Sequence, residues 1–362
     1  MMKKNKQVLI AGIYKKFVDE SFYELEQLCK TLGWNVFDKI FQKRRTPDAR
    51  FYFGKGLLLK IKELIEKGEI DYLVIDDDIT NIQRRNIETI LYKKVYDRTE
   101  VILEIFSKHA KTKEGRIQVE IARLRYLMPY LVGKGKELSR LGGGIGTRGP
   151  GEKKLEYEKR YLKRRISTLQ NKLKMIKRNR DIQRKKRLNS NLLKISIVGY
   201  TNAGKTTLLS KLSKQNLYSK DEMFTTLAPT SRKVMLPSGK FAVFSDTVGF
   251  IRKMHPLIIE AFLSTLEEII YSDLALVVVD VSDVSFREKI KVIYETLEKI
   301  GVNLGRTKLV FNKIDLCNSN YLKNLENEFK DAIFISAKKK VNFDYLLNEI
   351  DKVRLKEVSI KK

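Results

Sequence analysis

The sequence predicts an α/β protein in three parts: a small parallel α/β domain over residues 1–110, a long helical hairpin over 111–191, and a larger α/β domain over 192–362. Three observations carry this. Short β-branched runs alternate with amphipathic stretches toward both ends of the chain, the pattern of strands joined by crossover helices in a parallel sheet. Residues 152–188 read as one long helix, with an apolar stripe at helical spacing over its first two-thirds, Leu155 to Ile176. At residues 199–206 a loop framed by glycines joins an apolar strand to the start of a helix.

Length and composition bound the answer. A chain of 362 residues with 43% hydrophobic and 32% charged residues can bury sizeable cores without staples. Cys29 and Cys317 are the only cysteines, too few for a disulfide framework or a thiolate zinc site, and they fit a reducing compartment. The basic start MMKKNK is followed by an apolar run too short for a signal peptide, and no run is long enough to span a bilayer. The expectation is a cytoplasmic monomer with no stable membrane anchor. The formal net charge of +29 points to a polyanionic partner. The excess is uneven: residues 152–191 hold 16 basic and 4 acidic residues, against 30 and 20 in residues 1–151 and 27 and 20 in residues 192–362.

Taken in order, residues 6–14 read as a strand and 19–32 as a helix with Phe22, Leu25, Leu28 and Leu32 on one face. A second strand over 34–41, a helix over 56–67, a buried strand Tyr72-Leu-Val-Ile75, a helix over 79–91 and a short strand over 94–97 complete the small domain. Asp76, Asp77 and Asp78 fall at a strand's carboxyl end. That is a place for ligand or metal carboxylates, and equally for capping a helix that starts at Ile79. Gly54-Lys-Gly56 is too short for a phosphate loop.

From Arg98 to about Leu131 the pattern is helical, with Pro129 marking its end. The stretch LSRLGGGIGTRGPGEKKLE over 138–156 then places six glycines between Gly142 and Gly151, flanked by Arg140 and Arg148. It suits either RNA contact or a plain linker. The helix over 152–188 carries Leu155, Leu162, Ile166, Leu169, Leu173 and Ile176 on one stripe, so it packs against 113–131 as a hairpin. Its other face and end are basic: Lys172, Lys174, Lys177, Arg178, Arg180, Arg184, Lys185, Lys186 and Arg187. A solvated face mixes signs, and this one is nearly all basic, with Asp181 the one acid between Lys172 and Arg187, which favours a phosphate backbone as partner.

In the third part, the strand around Ile195, Ile197 and Val198 leads into Gly199-Tyr200-Thr201-Asn202-Ala203-Gly204-Lys205-Thr206-Thr207. This is G-x-x-x-x-G-K-[ST] between strand and helix, where backbone N–H groups cradle polyphosphate. Lys205 is expected on the β- and γ-phosphates and Thr206 on Mg²⁺. Downstream, Phe224-Thr225-Thr226-Leu227-Ala228 suits a mobile switch, with Thr226 sensing the γ-phosphate and Mg²⁺. Asp246-Thr247-Val248-Gly249 ends a strand, with Asp246 for Mg²⁺ and the Gly249 N–H for the γ-phosphate. Asn312-Lys313-Ile314-Asp315 and Ser336-Ala337-Lys338 follow two further strands. A carboxylate at Asp315 can accept from guanine N1–H and the 2-amino group, and adenine would leave it unpaired. Four elements in order on four strand ends predict a Ras-like P-loop fold selecting GTP.

With these residues in hand, 192–340 resembles a translation-factor-class GTPase. GYTNAGKTTL, FTTLAPT and DTVGFI together resemble the HflX family. The resemblance extends to QKRRTPDARFYFGKG, QRRNIE, VYDRTEVILEIF, EGRIQVEIARLRYLMP and SRLGGGIGTRGPGEKKLE. It implies a GTPase that binds the large ribosomal subunit, splits stalled or idle ribosomes and hydrolyses GTP on release. It also implies that the glycine-rich loop points toward the peptidyl-transferase centre, which favours RNA over linker. Departures from the family pattern are Ala228 where an aspartate is usual, and IRKMHP after Phe250 where an acidic residue is common. The chain also ends soon after Val353, short of the extra C-terminal domain of some relatives.

Phe250 stands where Ras-like enzymes place the glutamine that orients water, so slow basal turnover is expected, stimulated by the ribosome. Lys205, Thr226, Gly249 and Asn202 are the residues expected at the reacting phosphates. Asn202 resembles the position that holds K⁺ in some related GTPases, or is a turn former. His109 and His255 are isolated and carry no expected role. The competing readings are an RNA-remodelling or ribosome-assembly protein using GTP as a switch, and a membrane-associated GTPase, disfavoured for want of a lipid anchor.

Overall fold

The computed structural model describes residues 5–15, 21–110, 112–140, 150–187, 192–213, 223–224 and 230–360. Residues divide into two compact units, 1–180 with 253–261, and 181–252 with 262–362.

In the first unit, the uninterrupted apolar run of β1 (Gln7–Tyr14) makes a strand covered on both faces, with Val8 to Ala11 fully buried. After α1 (Ser21–Leu32) the chain adds β2 (Asn35–Lys43), α2 (Lys55–Lys67), β3 (Tyr72–Ile75), α3 (Asn81–Leu91), β4 (Lys94–Asp97) and α4 (Arg98–His109). The sheet has order β2-β1-β3-β4 and every pairing is parallel, Ile10 lying opposite both Lys39 and Val74. Leu9, Ala11, Ile61, Leu73, Ile75, Ile87 and Val95 share one core with Tyr52 and Phe53.

The helical stretch that the sequence predicts over 98–131 is two helices. α4 ends at His109, where Ala110 leaves helical backbone (φ −69°, ψ 94°). α5 (Lys113–Arg140) restarts as the Thr112 hydroxyl accepts from the Gly115 N–H at 3.0 Å. Periodicity missed the break because a local side-chain cap, not a change in apolar spacing, makes it. α5 also runs through Pro129 instead of ending there. A proline removes one helical hydrogen bond, and tertiary contacts on both sides of it hold the helix. Tyr126 and Tyr130 donate to the buried Asp97, and Ile121 and Met128 pack on α6 (Pro150–Arg187). The hairpin core is Ile117, Ile121, Ile166 and Leu169, flanked by Leu124, Leu173 and Ile176, with Glu120 and Arg165 paired at 2.7 Å outside it.

From residue 192 the chain follows the order β5 (Leu193–Gly199), α7 (Lys205–Leu212), β6 (Thr230–Met235), β7 (Phe241–Asp246), α8 (Pro256–Ile270), β8 (Leu274–Asp280), α9 (Phe286–Lys299), β9 (Thr307–Asn312), α10 (Ser319–Glu328), β10 (Ile333–Phe334) and α11 (Phe343–Ile360), all in the second unit except α8 up to Ala261. Six strands form the sheet β10-β9-β8-β5-β7-β6, parallel except that β6 runs antiparallel to β7. The sequence reading did not anticipate β6. TSRKVM is a largely exposed edge strand with little apolar patterning, specified by the ladder that β7 offers it. Parallel order puts the ends of β5, β7, β9 and β10 along one sheet edge, where α/β folds bind ligands. Among the described residues no helix is long and apolar enough to cross a membrane.

The aspartates after β3 are neither helix caps nor a metal cluster. Thr80 caps α3 in a capping box with Gln83. Asp76, 1% exposed, accepts from Arg98 at 2.6 Å and from the Ser21 hydroxyl. Asp77 accepts from Tyr52, and Asp78 accepts from Thr99 at 2.6 Å. Arg98 also reaches Glu24 at 2.6 Å and the Ser21 carbonyl at 3.1 Å. Burial alone would push its pKa down, but Glu24 and Asp76 outweigh that and hold it above arginine's ordinary value. Replacing Arg98 with Met takes the guanidinium from Glu24 and Asp76, leaving Asp76 with Lys253 at 3.1 Å and the Ser21 hydroxyl, and breaking a buried pair in this way costs about 3–5 kcal/mol. We therefore expect R98M to lose stability on that scale in urea unfolding followed by Trp34, the single tryptophan, which packs on Tyr72 and Tyr96. A loss under about 1 kcal/mol, the scale of an exposed pair, would contradict this account.

Candidate nucleotide site

The phosphate loop is built from β5, a turn and α7. Gly204 has φ +92°, and a Cβ there would lie 2.2 Å from the Asn312 amide nitrogen, so only glycine fits. The loop's backbone is laced to the segment after β7: Thr201 N–H donates to the Phe250 carbonyl at 2.9 Å, and Phe250 N–H to the Gly199 carbonyl at 3.0 Å. The two segments approach so closely that a Cβ on Gly249 would meet the Thr201 backbone at 2.9 Å and the Lys205 ammonium at 3.0 Å. Phe250 itself is 3% exposed, an apolar plug where a water-orienting side chain would be polar.

Lys205 is buried, and its ammonium donates to the Tyr200 carbonyl at 2.6 Å. Burial pushes its pKa down to about 8, with nearby Asp246 pulling the other way. Thr206 donates to the Asp246 carboxylate at 2.7 Å, and Thr247 donates to the Ile197 carbonyl at 2.7 Å, fixing the strand end that carries Asp246. A hydroxyl and a carboxylate brought to one spot are hard oxygen donors suited to Mg²⁺, which takes its remaining ligands from phosphate and water. No group of three or more His, Cys, Asp or Glu able to hold a metal occurs among the described residues.

The second half of the site is organised by Asn312, which is 2% exposed. Its amide nitrogen donates to the Ala203 carbonyl at 2.8 Å, and its amide oxygen accepts from the Ala337 N–H at 2.8 Å. One side chain thus ties the phosphate loop to the loop after β10. Ser336 donates to the Asp315 carboxylate at 2.6 Å, orienting it, and Lys313 has φ +66°. Tyr200, Ala203, Val248 and Ala337 are buried, Lys338 and Asn202 are exposed, and Asn202 has φ +63°. Thr207 and Ile314 are partly exposed on either side of the same edge. Phe224 is buried with φ +58°.

Thr225, Thr226, Leu227 and Ala228 lie outside the described residues, as does Arg148. Lys172, Lys174, Lys177 and Arg178 are exposed on α6. Arg140, on α5, and Arg180, Arg184, Lys185, Lys186 and Arg187, on α6, belong to described helices, but their side chains lie outside the described residues. Sequence reasoning missed Asp280, Asp283 and Lys289, which flank the site. Its available signal was the repeat Asp-Val-Ser-Asp-Val-Ser over 280–285.

Comparison with known proteins places the whole chain. The family descriptions "GTP-binding GTPase N-terminal", "GTP-binding GTPase Middle Region" and "50S ribosome-binding GTPase" match residues 19–107, 109–187 and 194–313. GTPase HflX of Caldanaerobacter subterraneus is 43% identical over 99% of this chain and 82% of its own length. That of Lacrimispora saccharolytica is 45% identical over 92% and 78%, and that of Escherichia coli 37% over 82% and 70%. The crystal structure of SsGBP in complex with GDP aligns over 97% of this chain and 99% of that one, with 30% identity and a TM-score of 0.53. The chain belongs to the HflX GTPase family.

Proposed function

We propose that the protein binds and hydrolyses GTP at the edge formed by β5, β7, β9 and β10, and uses that cycle on the large ribosomal subunit to split or rescue stalled and idle ribosomes. The observation that carries the nucleotide half is Asn312, which joins the phosphate loop to the base-side loop and so sets both ends of one ligand. Lys205 and the loop N–H groups bind the phosphates, Thr206 and Asp246 hold Mg²⁺, and Asp315 with the Ala337 region reads the guanine. Mg²⁺ supplies charge neutralisation at the β- and γ-phosphates. Thr226 completes the γ-phosphate contacts from the switch.

Phe250 offers no polar atom to orient water, so the isolated protein turns over slowly and the ribosome accelerates it. Exposed, left-handed Asn202 stands where K⁺ could be held against the phosphates. The ribosomal half rests on family membership and on the basic residues of α6, a helix with acids only at Glu152, Glu156, Glu158 and Asp181. Arg140 and Arg148 beside the glycine-rich loop extend that RNA-facing set.

Sedimentation of ribosomes with the purified protein and a non-hydrolysable GTP analogue is expected to move material from the 70S peak into subunits. Unchanged profiles with both the analogue and GTP itself would remove the splitting role and leave the RNA-remodelling alternative. Substituting Na⁺ for K⁺ is expected to lower basal turnover severalfold, and equal turnover in both salts would assign Asn202 to the turn alone.

Lys205 makes a pH prediction. Its folded pKa lies below the ordinary 10.5, so in the empty protein the burial penalty is full below pH 8 and fades as pH rises toward 10.5. A phosphate beside the ammonium favours its charged form and reverses the shift. Binding GDP at pH 9 should therefore take up close to one proton, and at pH 7 almost none, read from calorimetric enthalpies in buffers of different ionisation enthalpy. Equal uptake at both pH values would show that Lys205 does not meet the phosphates.

A further inference from the structure

The Asp-Val-Ser repeat that starts at the last residue of β8 is two copies of one device. Asp280 accepts on one oxygen from both the N–H and the hydroxyl of Ser282, at 3.1 and 2.6 Å. Its other oxygen pairs with the Lys313 ammonium at 2.7 Å. Asp283 does the same three residues on: Ser285 donates its N–H and hydroxyl at 2.9 and 2.7 Å, and the second oxygen pairs with Lys289. Lys289 in turn lies 5.6 Å over the ring of Tyr200 in the phosphate loop. Each aspartate is thus locked by its own serine and presents one free edge to one lysine.

We propose that Asp280 is a positioning residue for guanine-nucleotide binding, acting through Lys313. The inference rests on reading Asn312-Lys313-Ile314-Asp315 as the base-selecting loop. A lysine side chain is long and loses much rotamer freedom when held. Lys313 has its backbone fixed at φ +66°, and Asp280 fixes the far end of its stem. Both side chains are largely buried, at 26% and 19% exposure, so solvent screens the pair less than a surface one. A stem pinned at both ends is preorganised as an apolar wall for the purine, and the ordering cost is met during folding instead of at binding. Val281 N–H also donates to the Asn312 carbonyl at 3.1 Å, so the brace and the loop it serves share a backbone contact.

The test is a double-mutant cycle on the full chain, with GDP affinity by calorimetry and melting temperature in parallel. D280N keeps an acceptor for Ser282 but turns an amide toward Lys313. It should weaken GDP binding about tenfold, the lower end of what close, partly buried charge pairs contribute. The loss should appear in KM for GTP more than in kcat. K313M should weaken binding at least as much, and D280N should add nothing further in the K313M background. Undiminished GDP affinity in D280N, or losses that multiply in the double variant, would overturn the proposal, the second by showing that Asp280 acts through the fold at large. D315N separates the underlying reading. Xanthine carries an oxygen where guanine carries its 2-amino group, so an asparagine amide suits it, and D315N should prefer XDP. If D315N switches preference while the cycle shows no coupling, only the role of Asp280 falls. If D315N keeps its GDP preference, the base-site reading falls and takes this one with it.

Discussion

The geometry of the nucleotide site depends on one buried amide. Asn312 sits at the end of β9 and spends its donor on the Ala203 carbonyl and its acceptor on the Ala337 N–H. An unpaired buried polar group is expensive, so the two loops are held to the spacing at which both bonds form. Gly204 is glycine for the same reason, since the approach of Asn312 leaves no room for a Cβ. The two loops proposed to meet phosphate and base come from chain segments more than a hundred residues apart, and this side chain ties one to the other.

A different economy runs the first unit. Its sheet ends are crowded with charge: Arg98 between Glu24 and Asp76, and Arg84 between Asp97 and Glu100, the latter set reaching Tyr126 and Tyr130 of α5. Arg84 also lies 4.5 Å over the Tyr130 ring. Each carboxylate is matched, so the crevice at the sheet's carboxyl edge, a common ligand position, is filled by the protein's own side chains. The Arg84 network also tethers the hairpin helix beyond Pro129, through Tyr130, where a local reading would end it.

Much of the site was legible because its chemistry is local in sequence. A phosphate loop needs glycines, a lysine and a hydroxyl within eight residues, flanked by strand and helix, and Gly199 to Thr206 supply them in that order. The apolar runs of β5, β7, β8 and β9 announce buried parallel strands for the same reason. Where the sequence misled or stayed silent, the deciding partner was distant. Nothing in TSRKVM specifies a strand until β7 lies beside it. The three aspartates after β3 look alike in sequence, and their roles separate only through Arg98, Tyr52 and Thr99.

The sequence by itself determined which chemistry is available to this protein: a glycine-framed loop with the spacing proposed to cradle phosphate, a carboxylate proposed to accept from guanine, and a concentration of positive charge over 152–191. Short-range rules of backbone freedom, hydrogen-bonding capacity and charge suffice for that. Only the tertiary structure decided how these parts are held, with Asn312 across two loops, Asp280 on Lys313 and Phe250 buried against the phosphate loop. Those contacts join residues tens to more than a hundred positions apart, and no local pattern encodes which of many possible partners the fold will bring within three ångströms.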